Sequence, residues 1–216
     1  VTAALDAFVH RFVPGAAGDG PALLVLHGTG GDEADLLPLA AELLPGAALL
    51  SPRGQVTERG MPRFFRRHAE GVLDREDLLA RTEALADFVD AAAVEYGLDG
   101  RRVFAFGYSN GANIAAAMLL RRPGTVAGAL LLRPMMLPIA PAEIAGGLAG
   151  TPVRILAGAR DPIMPPGDPD RLAAALRDAG AAVEVTTHPQ AGHSPAQAEF
   201  AAAAEWLARH AAPATV

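Results

Sequence analysis

The sequence predicts an α/β fold: a doubly wound, mostly parallel sheet with helices on both faces. Short all-apolar runs, the pattern of strands buried on both sides, recur along the chain. Between them lie longer stretches with apolar residues at helical spacing. The two kinds alternate throughout, as parallel strands require, since each return to the sheet needs a crossover. Half of the 216 residues are hydrophobic (51%) and 19% are charged, so a large core is available. No linker or repeat divides the chain, and residues 1–216 read as one domain.

In order, Ala7–Val13 alternates weakly and reads as an edge strand. Ala22–Leu26 is a buried strand ending at His27-Gly28. Asp35–Leu44 has helical spacing and stops at Pro45-Gly46; Ala47–Leu50 is the next strand. Residues 53–74 read as a loop too long to be a mere connector. Glu76–Tyr96 is a long helix ended by Gly97, and Val103–Phe106 a strand. Ala112–Arg122 is helical, and Val126–Leu132 and Val153–Ala157 are strands. Asp170–Ala179 is helical, Val183–Thr187 is the last strand, and Ser194–His210 the closing helix. The stretch 133–152 is too short for a lid domain. Ligands of such sheets sit outside the carboxyl ends of the strands, so function is sought there.

Composition narrows the chemistry. With a net charge of −6 and no basic cluster, a nucleic-acid partner is not expected. Cysteine is absent, which removes disulfides, thiolate ligands and cysteine nucleophiles. Lysine is absent too, which removes Schiff bases, Ser–Lys dyads and phosphate-binding P-loops. No apolar run reaches a membrane span, and the stretch from Val1 has no signal-peptide pattern, so the expected location is cytoplasmic.

After the strand at 103–106 comes Gly107-Tyr108-Ser109-Asn110-Gly111, a G-x-S-x-G match between a strand and a helix. This context makes a sharp turn that lifts the serine Oγ off the sheet. The Asn110 N–H then opens the helix and faces the reacting oxygen. The alternative is an ordinary turn whose serine caps the helix. Ser51 and Ser194 are the other serines, and neither sits in such a turn.

A general base must reach Ser109 from a neighbouring loop. His193, after the last strand, can fold back over the sheet, with Gly192 expected to permit a tight turn. His188 is the competitor and reads as solvent-facing. Asp161 follows the strand at 153–157, giving the chain order Ser109, Asp161, His193. Its plainer reading is an Asx turn before Pro162. Asp168 and Asp170 read as turn and cap residues.

The loop His27-Gly28-Thr29-Gly30-Gly31-Asp32 fails the dinucleotide fingerprint, because Glu33 stands where the final Gly or Ala belongs. It reads better as an oxyanion loop whose backbone N–H joins that of Asn110, with His27 structural. No metal is expected: His27, His188 and His193 lack ligand spacing.

These motifs, with Asp161 and Gly192-His193, resemble the bacterial phospholipase/carboxylesterase family, small α/β-hydrolases related to acyl-protein thioesterases. The resemblance covers the chain from about Pro21 to the closing helix. It implies a cofactor-free serine esterase that acts on short- to medium-chain esters, with Thr29 and Asn110 supplying the oxyanion N–H groups; if Thr29 acts through its backbone N–H, its side chain is dispensable for charge stabilisation. Thr29 stands where thioesterase members usually carry leucine. Ser51-Pro52-Arg53-Gly54 and Met61-Pro62-Arg63-Phe64-Phe65 look like a carboxylesterase branch. The related dienelactone hydrolases use a cysteine nucleophile.

For the substrate pocket, Met61, Phe64, Phe65, Met135 and Met136 are candidates as adaptable apolar walls. Packing of the loops is their bland alternative. Arg133 is a candidate carboxylate binder, against a brace to an acidic neighbour. The expected partner is a small-molecule ester, and a homodimer is left open. A thioesterase or lysophospholipase is the second enzyme reading. A non-catalytic ligand-binding scaffold is the reading from another class.

Overall fold

Why strands such as 22–26 and 128–132 are apolar throughout is plain from the computed structural model, which describes residues 2–18 and 20–212; Val1, Asp19 and residues 213–216 lie outside it. In chain order the elements are α1 (Thr2–Asp6), β1 (His10–Val13), β2 (Ala22–Leu26), α2 (Leu37–Leu43), β3 (Ala48–Pro52), β4 (Val56–Glu58), β5 (Met61–Arg63), β6 (Arg67–Ala69) and β7 (Val72–Leu73). Then follow α3 (Arg75–Tyr96), β8 (Val103–Tyr108), α4 (Asn110–Arg121), β9 (Gly128–Leu132), β10 (Pro152–Gly158), α5 (Asp168–Asp178), β11 (Ala182–His188) and α6 (Gln197–Ala211). The main sheet runs β1-β3-β2-β8-β9-β10-β11, with β1 antiparallel and every other pairing parallel.

Alternate residues of each central strand feed two cores. Leu24 and Leu26 of β2 and Leu131 of β9 pack with α3 and α4 on one face. Leu23 and Val25, Phe104 and Phe106, and Leu130 and Leu132 pack with α2 and α6 on the other. Both faces are covered, so neither can be polar.

The strand read at 22–26 lies at those bounds, and the others shift by one to three residues. The closing helix begins at Gln197 rather than Ser194, because the residue before Pro195 is disfavoured in a helical conformation. The expected edge strand shortens to β1, with α1 ahead of it. The loop at 53–74 carries two hairpins, β4–β5 and β6–β7. Strands of two or three residues, one containing Pro62, are too short to show alternation in sequence. Between β9 and β10 the described residues hold no inserted domain, only one 3-10 turn at Pro141–Glu143. No helix among the described residues is long and apolar enough to cross a membrane.

Candidate active site

Gly107 and Gly111 have to be glycines. A Cβ on Gly111 would lie 2.1 Å from the Leu26 carbonyl oxygen, and one on Gly107 would lie 2.6 Å from that of Gly111. Strand β2, strand β8 and helix α4 thus meet backbone to backbone. Ser109 is forced into φ 53°, ψ −112°, a conformation that a side-chain-bearing residue rarely adopts, and its N–H is tied to Leu132 O at 2.8 Å. The serine makes no side-chain cap to the helix, so the plainer capping reading does not describe it.

The Ser109 hydroxyl meets His193 Nε2 at 2.9 Å, and His193 Nδ1 meets Asp161 Oδ2 at 2.8 Å. The Asp161 side chain is 1% exposed and that of His193 20%. Asp161 also makes its Asx turn: Oδ1 accepts from the N–H groups of Ile163 and Met164. One oxygen fixes the carboxylate while the other faces the imidazole, so the Asx turn and the contact to His193 coexist. Tyr108 flanks the histidine ring, and burial pushes its phenol up, keeping it neutral.

Thr29 and Asn110 line the same cleft, and among the described residues their N–H groups are given to no acceptor. The loop between them is pinned from below. His27 Nδ1 contacts Gly28 O at 2.7 Å, and Nε2 accepts the Gly54 N–H at 2.9 Å, which sets the proton on Nδ1. Burial lowers the His27 pKa from 6.5. Its contribution to stability is therefore complete above about pH 6.5 and declines as the pH falls below it, where the unfolded chain takes up the proton first. His27→Gln should flatten that part of the stability–pH curve, measured by thermal melts from pH 7.5 to 5; an unchanged slope would remove His27 from the account.

The cleft measures about 310 Å³. Met61 and Met135 line it, as the sequence suggested. Four other pocket candidates do not. Phe64 and Phe65 are buried beneath it, the first stacked on His27 and the second under the Arg63 guanidinium. Met136 faces an adjoining groove, and its N–H is held by Asp168 Oδ2. Arg133 is a brace, not a ligand for substrate. It is wholly buried at φ 56° and paired with Glu199, and its Nε–H donates to Gly192 O at 2.8 Å. Gly192 itself has room for a Cβ and no positive φ, so its carbonyl, not its freedom, places His193. His188 is only partly exposed, and its Nε2 lies 3.6 Å from the buried Glu199 carboxylate.

Arg63, Leu73, Asn113 and Ile163 also line the cleft. Asn113 could have been read: it follows Asn110 by one helical turn on the same face of α4. Arg63 and Leu73 gave no signal, because short hairpins set their direction. No three His, Asp or Glu side chains among the described residues are grouped to hold a metal ion.

Comparison with known proteins agrees with this architecture. The chain is 47% identical over 184 residues to the "Putative hydrolase MhqD" of Bacillus subtilis (strain 168), covering 85% of this chain and 90% of that one. The Bacillus cereus carboxylesterase structure superposes with a TM-score of 0.88 at 45% identity over 94% of each chain. A carboxylesterase from Mesorhizobium loti gives 0.85 at 36%, over 94% of this chain and 95% of that one. The small α/β-hydrolase fold expected from the motifs is therefore the fold observed. Residues 61–212, which include the elbow, Asp161 and His193, match the Dienelactone hydrolase family profile; with serine at the elbow and no cysteine anywhere in its sequence, this chain belongs to that family.

Proposed function

We propose that this chain, a carboxylic ester hydrolase, is a serine carboxylesterase that cleaves short- to medium-chain esters through an acyl-enzyme. One observation carries the reading: the unbroken hydrogen-bond chain from Ser109 Oγ through His193 to the buried Asp161. His193 Nε2 takes the Ser109 proton as Oγ attacks the ester carbonyl, and Asp161 stabilises the imidazolium that forms. The N–H groups of Thr29 and Asn110 receive the oxyanion. Collapse expels the alcohol, which takes its proton from His193. A water molecule then repeats the sequence on the acyl-enzyme, and the carboxylic acid leaves.

The cleft volume lies at the small end of ligand sites, which favours compact acyl groups over the long chains of a lysophospholipase. In a p-nitrophenyl ester series, kcat/KM should peak at short to medium acyl lengths; a rise that continues to palmitate would favour the long-chain reading instead. Mass spectrometry after treatment with a fluorophosphonate should find the adduct on Ser109; an adduct on Ser51 or Ser194 would overturn the nucleophile.

The two histidines near the last strand separate cleanly. His193→Ala should remove most of the activity, because Ser109 loses the ring nitrogen that takes its proton. His188→Ala should keep it, since its ring faces Glu199 rather than the serine. The reverse outcome in steady-state kinetics would exchange their roles.

A further inference from the structure

The residues 54–64 are sewn to both sides of the oxyanion hole. Gly54 N–H donates to His27, Gly30 N–H donates to Pro62 O at 2.9 Å, and Phe64 N–H donates to Asn110 Oδ1 at 2.7 Å. The fourth stitch differs in kind, because it joins two side chains. Arg63 Nη1–H donates to the Thr29 hydroxyl at 2.5 Å, inside the cleft that holds Ser109.

The Arg63 side chain is only 4% exposed. Its Nε–H is spent on Phe65 O at 3.1 Å, and the nearest carboxylate, Glu58 at 3.4 Å, is shared with Arg67. A guanidinium buried with so little compensation is costly as a mere brace. The Thr29 oxygen has its acceptor side occupied by this cation. Among the described residues its own proton is given to no acceptor. A hydroxyl has one proton to donate, and accepting from a cation makes it a stronger donor.

We propose that the Thr29 hydroxyl, fixed and polarised by Arg63, is a third donor of the oxyanion hole, beside the two backbone N–H groups. Thr29 is then a catalytic residue through its side chain, and Arg63 a positioning residue that acts through it. The inference rests on the reading of Ser109 as nucleophile. It reverses the sequence-based expectation that the threonine side chain is dispensable. Charge appears on the oxygen only in the transition state, so the effect belongs in kcat rather than KM.

The test is a cycle on the intact chain with a short-chain p-nitrophenyl ester. Thr29→Val keeps shape and backbone N–H but lacks the proton; kcat should fall roughly 10²-fold with KM little changed. Thr29→Ser should recover most of that loss. Arg63→Met should lower kcat comparably, and adding Thr29→Val to it should cost little more. Should Arg63→Met not fold, the Val and Ser variants decide the hydroxyl by themselves. A Thr29→Val enzyme within threefold of wild type overturns the third donor, and fully multiplicative losses overturn the link to Arg63. Fluorophosphonate labelling of wild-type Ser109 separately tests the reading on which the inference rests.

Discussion

Ser109→Ala is expected to lower kcat by at least about 10⁴-fold toward a p-nitrophenyl ester while leaving the fold in place. Alanine keeps the backbone N–H that holds this turn to Leu132 O, and among the described residues the hydroxyl it removes has one protein partner, His193. The sequence holds no cysteine or lysine that could replace it as nucleophile. Some rate above that in water should survive, because the proposed oxyanion donors and the cleft remain. Circular dichroism and a melting curve check the fold, and steady-state kinetics the rate. A well-folded Ser109→Ala enzyme within tenfold of wild type would place the reaction on another group.

Much of this site is legible in the amino-acid sequence, for a physical reason. The sharp turn at Ser109 demands small residues at fixed offsets because three backbones meet there. Gly107 and Gly111 are therefore local in sequence as well as in space. Asp161 and His193 stand three and five residues beyond the ends of β10 and β11, so the strand pattern points to the loops that carry them. The sheet is legible for a similar reason: covering both faces of Leu23, Leu24, Val25 and Leu26 requires an apolar residue at each position.

The illegible part depends on direction or on partners far along the chain. Phe64 and Phe65 stand in a loop near the site, and apolar character alone does not say whether such a ring lines a cleft or anchors the loop. Here they anchor it, so that Arg63 rather than the phenylalanines faces Thr29. The Arg133–Glu199 pair joins the end of β9 to the start of α6, and no periodicity links those positions.

That pair supports the second large effect. Arg133 and Glu199 are fully buried side chains joined by two hydrogen bonds. Burial alone would raise the Glu199 pKa; the Arg133 hydrogen bonds and the Ala196 N–H outweigh it and hold the carboxyl below 4.5. The stability this shift contributes is present above about pH 4.5 and is lost as acid protonates the carboxylate. Breaking one side of the pair is different, because the other charge stays buried. Arg133→Met should cost about 3–5 kcal/mol, and Glu199→Leu a similar amount. For a chain of this size that corresponds to a drop in Tm of roughly 6–20 °C. Arg133→Met also strands the Gly192 carbonyl, while Leu156 O keeps the backbone N–H of residue 133, so the loop carrying His193 should loosen and kcat fall even where the protein remains folded. The double variant Arg133→Met/Glu199→Leu leaves no unpaired charge and should regain part of the stability but not the activity, since Gly192 O stays without its donor. Urea denaturation of the single variants within 1 kcal/mol of wild type, or a double variant with full kcat, would show that this buried pair does not hold the histidine loop.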